Sequence, residues 1–288
     1  MPAADLSFRA PADLAGALAE LAGQPEAMAM GGGTSVALLL KHGLIEPHRI
    51  VWLARIPALR GIRAGSDGGL DLGATVTLRE LATSAAVRRH APALASAAGQ
   101  VGNPRVRSVA TVGGALAHAD PRQDLPPVLL ALEARVRIAG PAGTREVPAA
   151  GFCTGFMETV LGPGELITGV LVPPAPGRRA VYARFTPGSD DDYPAVGAAA
   201  SIVRARDGTV TRAVLALAGV GPVALLIPEA ASLAGGRPGT ADIDAVASAA
   251  AAAADPVSDQ RGSAAYKRAM AREWSRRVLL ACLPGAGG

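Results

Sequence analysis

The chain has 288 residues and a net charge of +4; half its residues are hydrophobic, but only 3% are aromatic. That length suggests about two domains and a core that closes without cross-links, filled by Ala, Val and Leu. The apolar content excludes general disorder. The basic residues, nearly all Arg with Lys41 and Lys267 as the lysines, are scattered and leave no nucleic-acid footprint.

Met1 to Ala10 holds no basic segment ahead of an apolar stretch, so no secretory signal is expected. No apolar run reaches the ~18 residues of a membrane span; the Ala-rich 245–254 is too short. A cytoplasmic location is expected. Ser7 to Ala10 reads as a short strand. Leu14, Leu18 and Leu21 recur at helical spacing after Asp13, which predicts a helix over 12–22. Met28 to Met30 reads as a buried strand that runs into Gly31-Gly32-Gly33-Thr34-Ser35 and the apolar Val36 to Leu40. Ile50 to Leu53 and Leu70 to Val76 are further extended segments. Thr77-Leu78-Arg79-Glu80 fits a capping box, so a helix should run to about Arg89, and Pro92 opens another.

The segment 110–121, ATVGGALAHADP, is rich in small residues. Asp124 can cap a helix that starts at Leu125, with Pro126 in its first turn. Val136 with Ile138, and Glu165 to Val172, read as strands. Pro173 to Gly177 breaks regular structure and is the predicted domain boundary. Beyond it, strand-like runs at 180–186, 195–204 and 210–218, with the hairpin dipeptide Asp207-Gly208, predict a small antiparallel sheet. Helices are expected at 228–234, 241–253 and 263–281. The last carries Tyr266, Met270, Trp274 and Val278 at four-residue spacing.

Two glycine-rich turns are candidates for binding. Consecutive glycines at 31–33, followed by the Thr34 and Ser35 hydroxyls, let backbone N–H groups approach a phosphate. The position after them is Val36, so this is no dinucleotide fingerprint, and no Gly-Lys-Ser/Thr follows. A plain glycine turn and an anion cradle both satisfy the pattern. The second candidate is Thr111-Val112-Gly113-Gly114, followed by Asp120 and Asp124. Asp124 suits a ribose hydroxyl, an N-cap, or both. Two such turns suggest one diphosphate gripped from two sides. No G-x-S-x-G occurs, and His42, His48, His90 and His118 lack metal-ligand spacing. Asp190-Asp191-Asp192 reads as a solvated loop. Cys153 and Cys282 lie far apart, which excludes a Cys-rich zinc site or a cysteine-held iron–sulfur cluster in this chain alone.

Taken together, these segments resemble the FAD-binding medium subunit of the molybdenum hydroxylases, the family of carbon monoxide dehydrogenase medium chains and xanthine dehydrogenase flavin domains. GGGTS at 31–35 resembles the family's A-G-G-x-S loop. VRSVATVGGALAHADPRQDLP at 106–126 resembles its T-x-G-G-N-x-x-x-A-D-P-x-x-D-x-P motif. PGELITGVLVP at 163–173, YARF at 182–185, DYPAVG at 192–197, GVGP at 219–222 and the segment 263–279 extend the likeness nearly end to end.

The resemblance implies an α+β chain. Residues 1–175 would form a two-part FAD-binding module of the p-cresol methylhydroxylase and vanillyl-alcohol oxidase type, divided at about 55, and 176–288 a small α+β C-terminal domain. It implies that Gly31 to Ser35 and Thr111 to Gly114 hold the diphosphate of a non-covalent FAD through backbone N–H groups. Asp124 would lie by the adenosine ribose, Ile167 against the flavin or adenine, Arg184 where the family often has Lys, and Tyr193 against the isoalloxazine.

Ala115 stands where the family usually has Asn, so a side-chain contact is lost there. Gly188, Ser189 and Asp190 stand where basic residues often precede the D-Y pair. The implied role is electron transfer inside a hetero-oligomer, from an iron–sulfur small subunit beside a molybdenum-binding large subunit to an external acceptor. A self-contained FAD oxidoreductase and a structural subunit that has lost FAD are the alternatives.

Overall fold

A computed structural model describes residues 6–24 and 26–283; the Met1–Asp5 stretch weighed as a leader lies outside them. Three sheets and a hairpin follow one another along the chain. The first is small and parallel, in the order β1 (Ser7–Arg9), β3 (Arg49–Trp52), β2 (Ala27–Met30). Helix α1 (Leu14–Ala22) precedes β2, and Asp13 caps it by accepting from the Gly16 N–H. Helix α2 (Thr34–Lys41) leaves β2 through the glycine run. Although rich in leucine, α2 buries none of its side chains.

The second sheet is antiparallel, in the order β4 (Ile62–Ala64), β5 (Leu70–Gly73), β10 (Leu166–Val172), β6 (Arg135–Gly140), β7 (Gly143–Pro148). Helices α3 (Leu78–Thr83), α4 (Ala85–His90), α5 (Pro92–Gln100), α6 (Pro104–Arg107), α7 (Val112–His118) and α8 (Leu125–Ala131) lie between β5 and β6 in the chain. The capping box forms: the Thr77 hydroxyl accepts from the Glu80 N–H, and the Glu80 carboxylate accepts from the Thr77 N–H. The helix expected to reach Arg89 breaks at Ser84, which is extended and caps α4 with its own hydroxyl. A short hairpin, β8 (Cys153–Gly155) with β9 (Glu158–Thr159), precedes β10.

The third sheet is antiparallel and sequential: β11 (Arg178–Phe185), β12 (Val196–Arg204), β13 (Val210–Ala218), β14 (Leu225–Leu226). The predicted helix at 228–234 is a 3-10 stretch, Pro228–Leu233, opened by proline. Helices α9 (Thr240–Ala253) and α10 (Ala264–Cys282) cover one face of this sheet. The other face packs on α8, and Tyr182, Ala199 and Ala216 join the same core as the second sheet. Strand β12 is therefore buried on both sides from Val196 to Ile202. Alanine suits this, because its small side chain lets helices approach from both directions.

The buried face of α10 takes in part of the four-residue stripe, since Val278 is buried and Met270 and Trp274 pack against the core. It runs through Lys267, Ala271, Ser275, Val278, Leu279 and Cys282, while Tyr266 is exposed and Trp274 stacks on Phe185. Lys267 tolerates burial because its Nζ donates to Asp259 Oδ1 at 2.7 Å and to the Val257 carbonyl at 2.9 Å. Among the described residues, no helix is long and apolar enough to cross a membrane.

Candidate functional site

The two glycine turns, nearly eighty residues apart in sequence, meet in the fold. A Cβ on Gly32 would stand 1.6 Å from the Val109 carbonyl oxygen, and one on Gly31 would stand 2.4 Å from the Thr111 hydroxyl. Only glycine permits that approach. Gly33 then takes a left-handed φ of +78° and caps α2 without a side chain. Among the described residues, no acceptor pairs with the backbone N–H groups of Gly31 to Val36. These donors are half-exposed, and they sit at a helix N-terminus whose dipole favours an anion. Trp52 braces the turn from behind, its indole N–H donating to the Gly31 carbonyl at 3.1 Å.

The second turn behaves differently. Val112 N–H donates to the Val76 carbonyl at 3.0 Å, Gly113 N–H to Ala74 at 2.8 Å, and Gly114 N–H to the Thr111 hydroxyl at 3.1 Å. Three of the N–H groups expected to meet a diphosphate here, those of Val112, Gly113 and Gly114, are thus spent inside the chain, the first two tying α7 to the segment that follows β5. A Cβ on Gly113 would stand 2.8 Å from that of Ala74, so this glycine serves close packing. Thr111, Val112 and Gly113 are buried, Gly114 is exposed and Ala115 half-buried.

Helix α7 spans about 10 Å. At its far end Ala119 turns left-handed with φ 51°, and a polar cluster begins. Arg122 grips Asp120 in a fork, Nε to Oδ1 at 3.0 Å and Nη2 to Oδ2 at 2.8 Å. Burial pushes the Asp120 carboxyl up, but the bonds from Arg122 outweigh it and hold it below its ordinary value. The Arg122 guanidinium lies 5.3 Å from the ring centroid of Tyr193, a residue that is 36% exposed. Arg261 supports Tyr193 from its backbone side: its Nε donates to the Tyr193 carbonyl and its Nη2 to Asp192.

Asp124 was expected to cap α8. Its backbone is itself helical and its side chain caps nothing. The carboxylate, 3% exposed, accepts from the Tyr182 hydroxyl and forms an ion pair with Arg184, whose Nη1 lies 3.1 Å away. Burial lifts both the Asp124 carboxyl and the Tyr182 phenol above their ordinary values. Removing one partner from such a buried ion pair costs about 3–5 kcal/mol.

Arg184 also donates to the carbonyls of Gln100 and Asp192, leaving its buried Nε without a partner among the described residues. Ile167 does not reach this cluster. It is 4% exposed and sits in the main core opposite Ile138.

Residues 4–175 match the family described as the FAD binding domain in molybdopterin dehydrogenase, and 182–282 the CO dehydrogenase flavoprotein C-terminal domain. The carbon monoxide dehydrogenase medium chain of Hydrogenophaga pseudoflava is 34% identical over 94% of this chain and 95% of its own. The chain belongs to the FAD-binding medium subunits of the molybdenum hydroxylases. Subunit alpha of the 6-hydroxypseudooxynicotine dehydrogenase complex of Paenarthrobacter nicotinovorans is 36% identical, over 91% of this chain and 88% of its own. A solved carbon monoxide dehydrogenase from Hydrogenophaga pseudoflava superposes with a TM-score of 0.92 at 34% identity, covering 98% of each chain.

The residues of this medium subunit fit the cofactor its family implies. The first turn offers unspent N–H donors and the Thr34 and Ser35 hydroxyls, and its glycines press so closely on Val109 and Thr111 that a Cβ has no room. The second turn supplies its wall. Sequence reasoning missed Tyr182, Arg122 and Trp52. Tyr182 was within reach, because it lies two residues before Arg184 and so shares its face of β11. Two apolar cavities, of about 610 and 220 Å³, are lined by residues such as Leu130, Leu226 and Phe152 and include none of the predicted site residues.

Proposed function

We infer that this chain is the FAD-carrying electron-transfer subunit of a molybdenum-containing dehydrogenase. It would take electrons from an iron–sulfur small subunit, beside a molybdenum-binding large subunit, and release them to an external acceptor. One observation carries the reading: two glycine turns packed against each other, one of them with a row of N–H donors free to meet an anion. The chain's two cysteines are both free and far apart, so a cysteine-held cluster belongs to a partner.

FAD, when bound, exchanges electrons singly or in pairs; the protein supplies placement and electrostatics. Gly31 to Ser35 would hold the diphosphate. Thr111 to Ala115 would line the groove beside it and Tyr193 would face the ring system, with Arg122 fixing the tyrosine. Arg184 keeps one unspent donor, Nε, near the same place. Ile167 would act from within the core behind the groove. The flavin module would occupy 1–175, in parts of about 1–55 and 56–175, and the C-terminal domain 176–288. The assembly would be cytoplasmic.

The purified chain should be yellow, and acid should release the chromophore into the supernatant. Co-expression with neighbouring reading frames should give a larger complex on size-exclusion chromatography. A colourless chain refutes the flavin assignment; a lone chain that turns over a substrate with its own FAD refutes the subunit assignment.

A further inference from the structure

We propose that Trp52 is a positioning residue for the cofactor's diphosphate: its indole N–H holds the Gly31 carbonyl back and so aims the Gly32 N–H into the binding turn. The proposal rests on the FAD reading above. It concerns how this chain aims its donors, which the glycines alone do not decide. A glycine run can turn its peptide planes many ways, so a contact outside the run must choose one.

The end of β3 makes that choice. Leu53 N–H donates to the Met30 carbonyl at 2.9 Å, and the Trp52 indole donates to the Gly31 carbonyl at 3.1 Å. Two successive carbonyls are thus held by two successive residues of the neighbouring chain segment. In a trans peptide the carbonyl and the next N–H point in opposite directions. The N–H groups of Gly31 and Gly32 therefore each face away from the residue that holds the carbonyl of the same peptide. Strand β2 is an edge of its sheet, and among the described residues neither N–H has an acceptor. Successive free N–H groups of this kind suit an anion.

Trp52 is itself held for this task. Its ring centroid lies 6.2 Å from that of Phe8 on β1, and the Arg55 guanidinium lies 5.8 Å from it on another side. An indole has a single polar hydrogen, and the Gly31 carbonyl takes it. Trp52 thus has no donor left for a phosphate and acts on it through the turn.

Titration of the full-length, FAD-free chain tests this, with FAD and inorganic diphosphate as the two probes. Trp52→Phe keeps an aromatic ring beside Phe8 and Arg55 but removes the donor. Both probes should bind about 5-fold more weakly, the effect of one lost hydrogen bond. Phe8→Leu loosens the packing but keeps the donor; it should melt earlier and bind both probes within about twofold of wild type. Wild-type binding in Trp52→Phe would overturn the proposal. Weaker FAD with diphosphate untouched would make the indole a contact to the cofactor's rings and overturn it too, as would equal losses in the two variants. A wild-type chain that binds neither probe refutes the flavin reading instead. Residual dipolar couplings of the Gly31 and Gly32 amides, which report N–H orientation without ligand, then decide the bracing: they should change in Trp52→Phe, and unchanged couplings overturn it. In the wild-type chain the Trp52 indole N–H should exchange slowly with solvent; fast exchange overturns the proposal whether or not the variant folds.

Discussion

Replacing Gly32 with alanine strikes a place where the first glycine turn meets the backbone that leads into the second. The new Cβ would stand 1.6 Å from the Val109 carbonyl oxygen and 2.4 Å from its carbon, where ordinary contact begins at 3.4 Å. The turns must therefore part by about 1.8 Å, and a peptide carbonyl cannot swing aside as a side chain can. Gly32 does not hold a positive φ, so the effect is steric and not torsional. Overpacking of this kind costs about 1–3 kcal/mol. If the turns form one cradle, that energy is drawn from FAD binding. Affinity should then fall about 10- to 100-fold, at roughly 1.4 kcal/mol per tenfold. The assay is titration of the FAD-free chain followed by flavin fluorescence, with a melting curve alongside. Gly151→Ala is the control: its φ is +90° but its Cβ would meet nothing within 4 Å, so it should lose a little stability and no affinity. A folded Gly32→Ala chain that binds FAD within twofold of wild type would refute the cradle.

Ala115→Asn restores the amide usual in the family at a half-buried position, and should tighten FAD by about 0.5–1.5 kcal/mol; titration showing a loss would mean the groove is closed around alanine. The Arg145 guanidinium and the Gly162 N–H hold the Glu165 carboxyl at about 2, below its ordinary 4.5. Its contribution is therefore full above pH 4.5 and is lost as pH falls toward 2. Glu165→Gln should lower stability at neutral pH and flatten that acid limb in denaturant melts; an unchanged limb would refute the linkage. Burial pushes the Cys282 thiol up to about 12, so a thiol reagent at pH 8 should leave it unmodified until the chain unfolds, and fast modification of both cysteines would contradict its burial.

Local chemistry was legible where a residue acts on its own neighbourhood. Thr77 and Glu80 announce a capping box, and the box forms. Gly31 to Gly33 and Gly113-Gly114 announce close approach. That the first run approaches Val109 and Thr111, and Gly113 approaches Ala74, is a tertiary fact with no local signal, since Val109 carries nothing that marks it as the partner of Gly32. Asp124 misled for a related reason. An acid before Leu-Pro-Pro satisfies every rule for an N-cap, yet a phenol and a guanidinium some sixty residues on claim it. On α10 the four-residue stripe tells part of the story: Val278 is buried and Met270 and Trp274 pack on the core, but Lys267 and Ser275 are buried too and Tyr266 is not. Strand β7, Gly143–Pro148, is an exposed edge with no apolar alternation to betray it.

Strand β12 has no side facing water: Ala198 and Ala200 look into one core and Ala199 into the other. Most strands keep an outer row of side chains that can drift in sequence without consequence. Here that freedom is missing. One added methyl on Ala199 presses on the flavin module, and one on its neighbours presses on the terminal helices. The two matched regions are thus bound by a shared layer with no slack. A lineage that exchanged the C-terminal half for another would have to bring a strand just as small, and the halves are expected to be inherited as one.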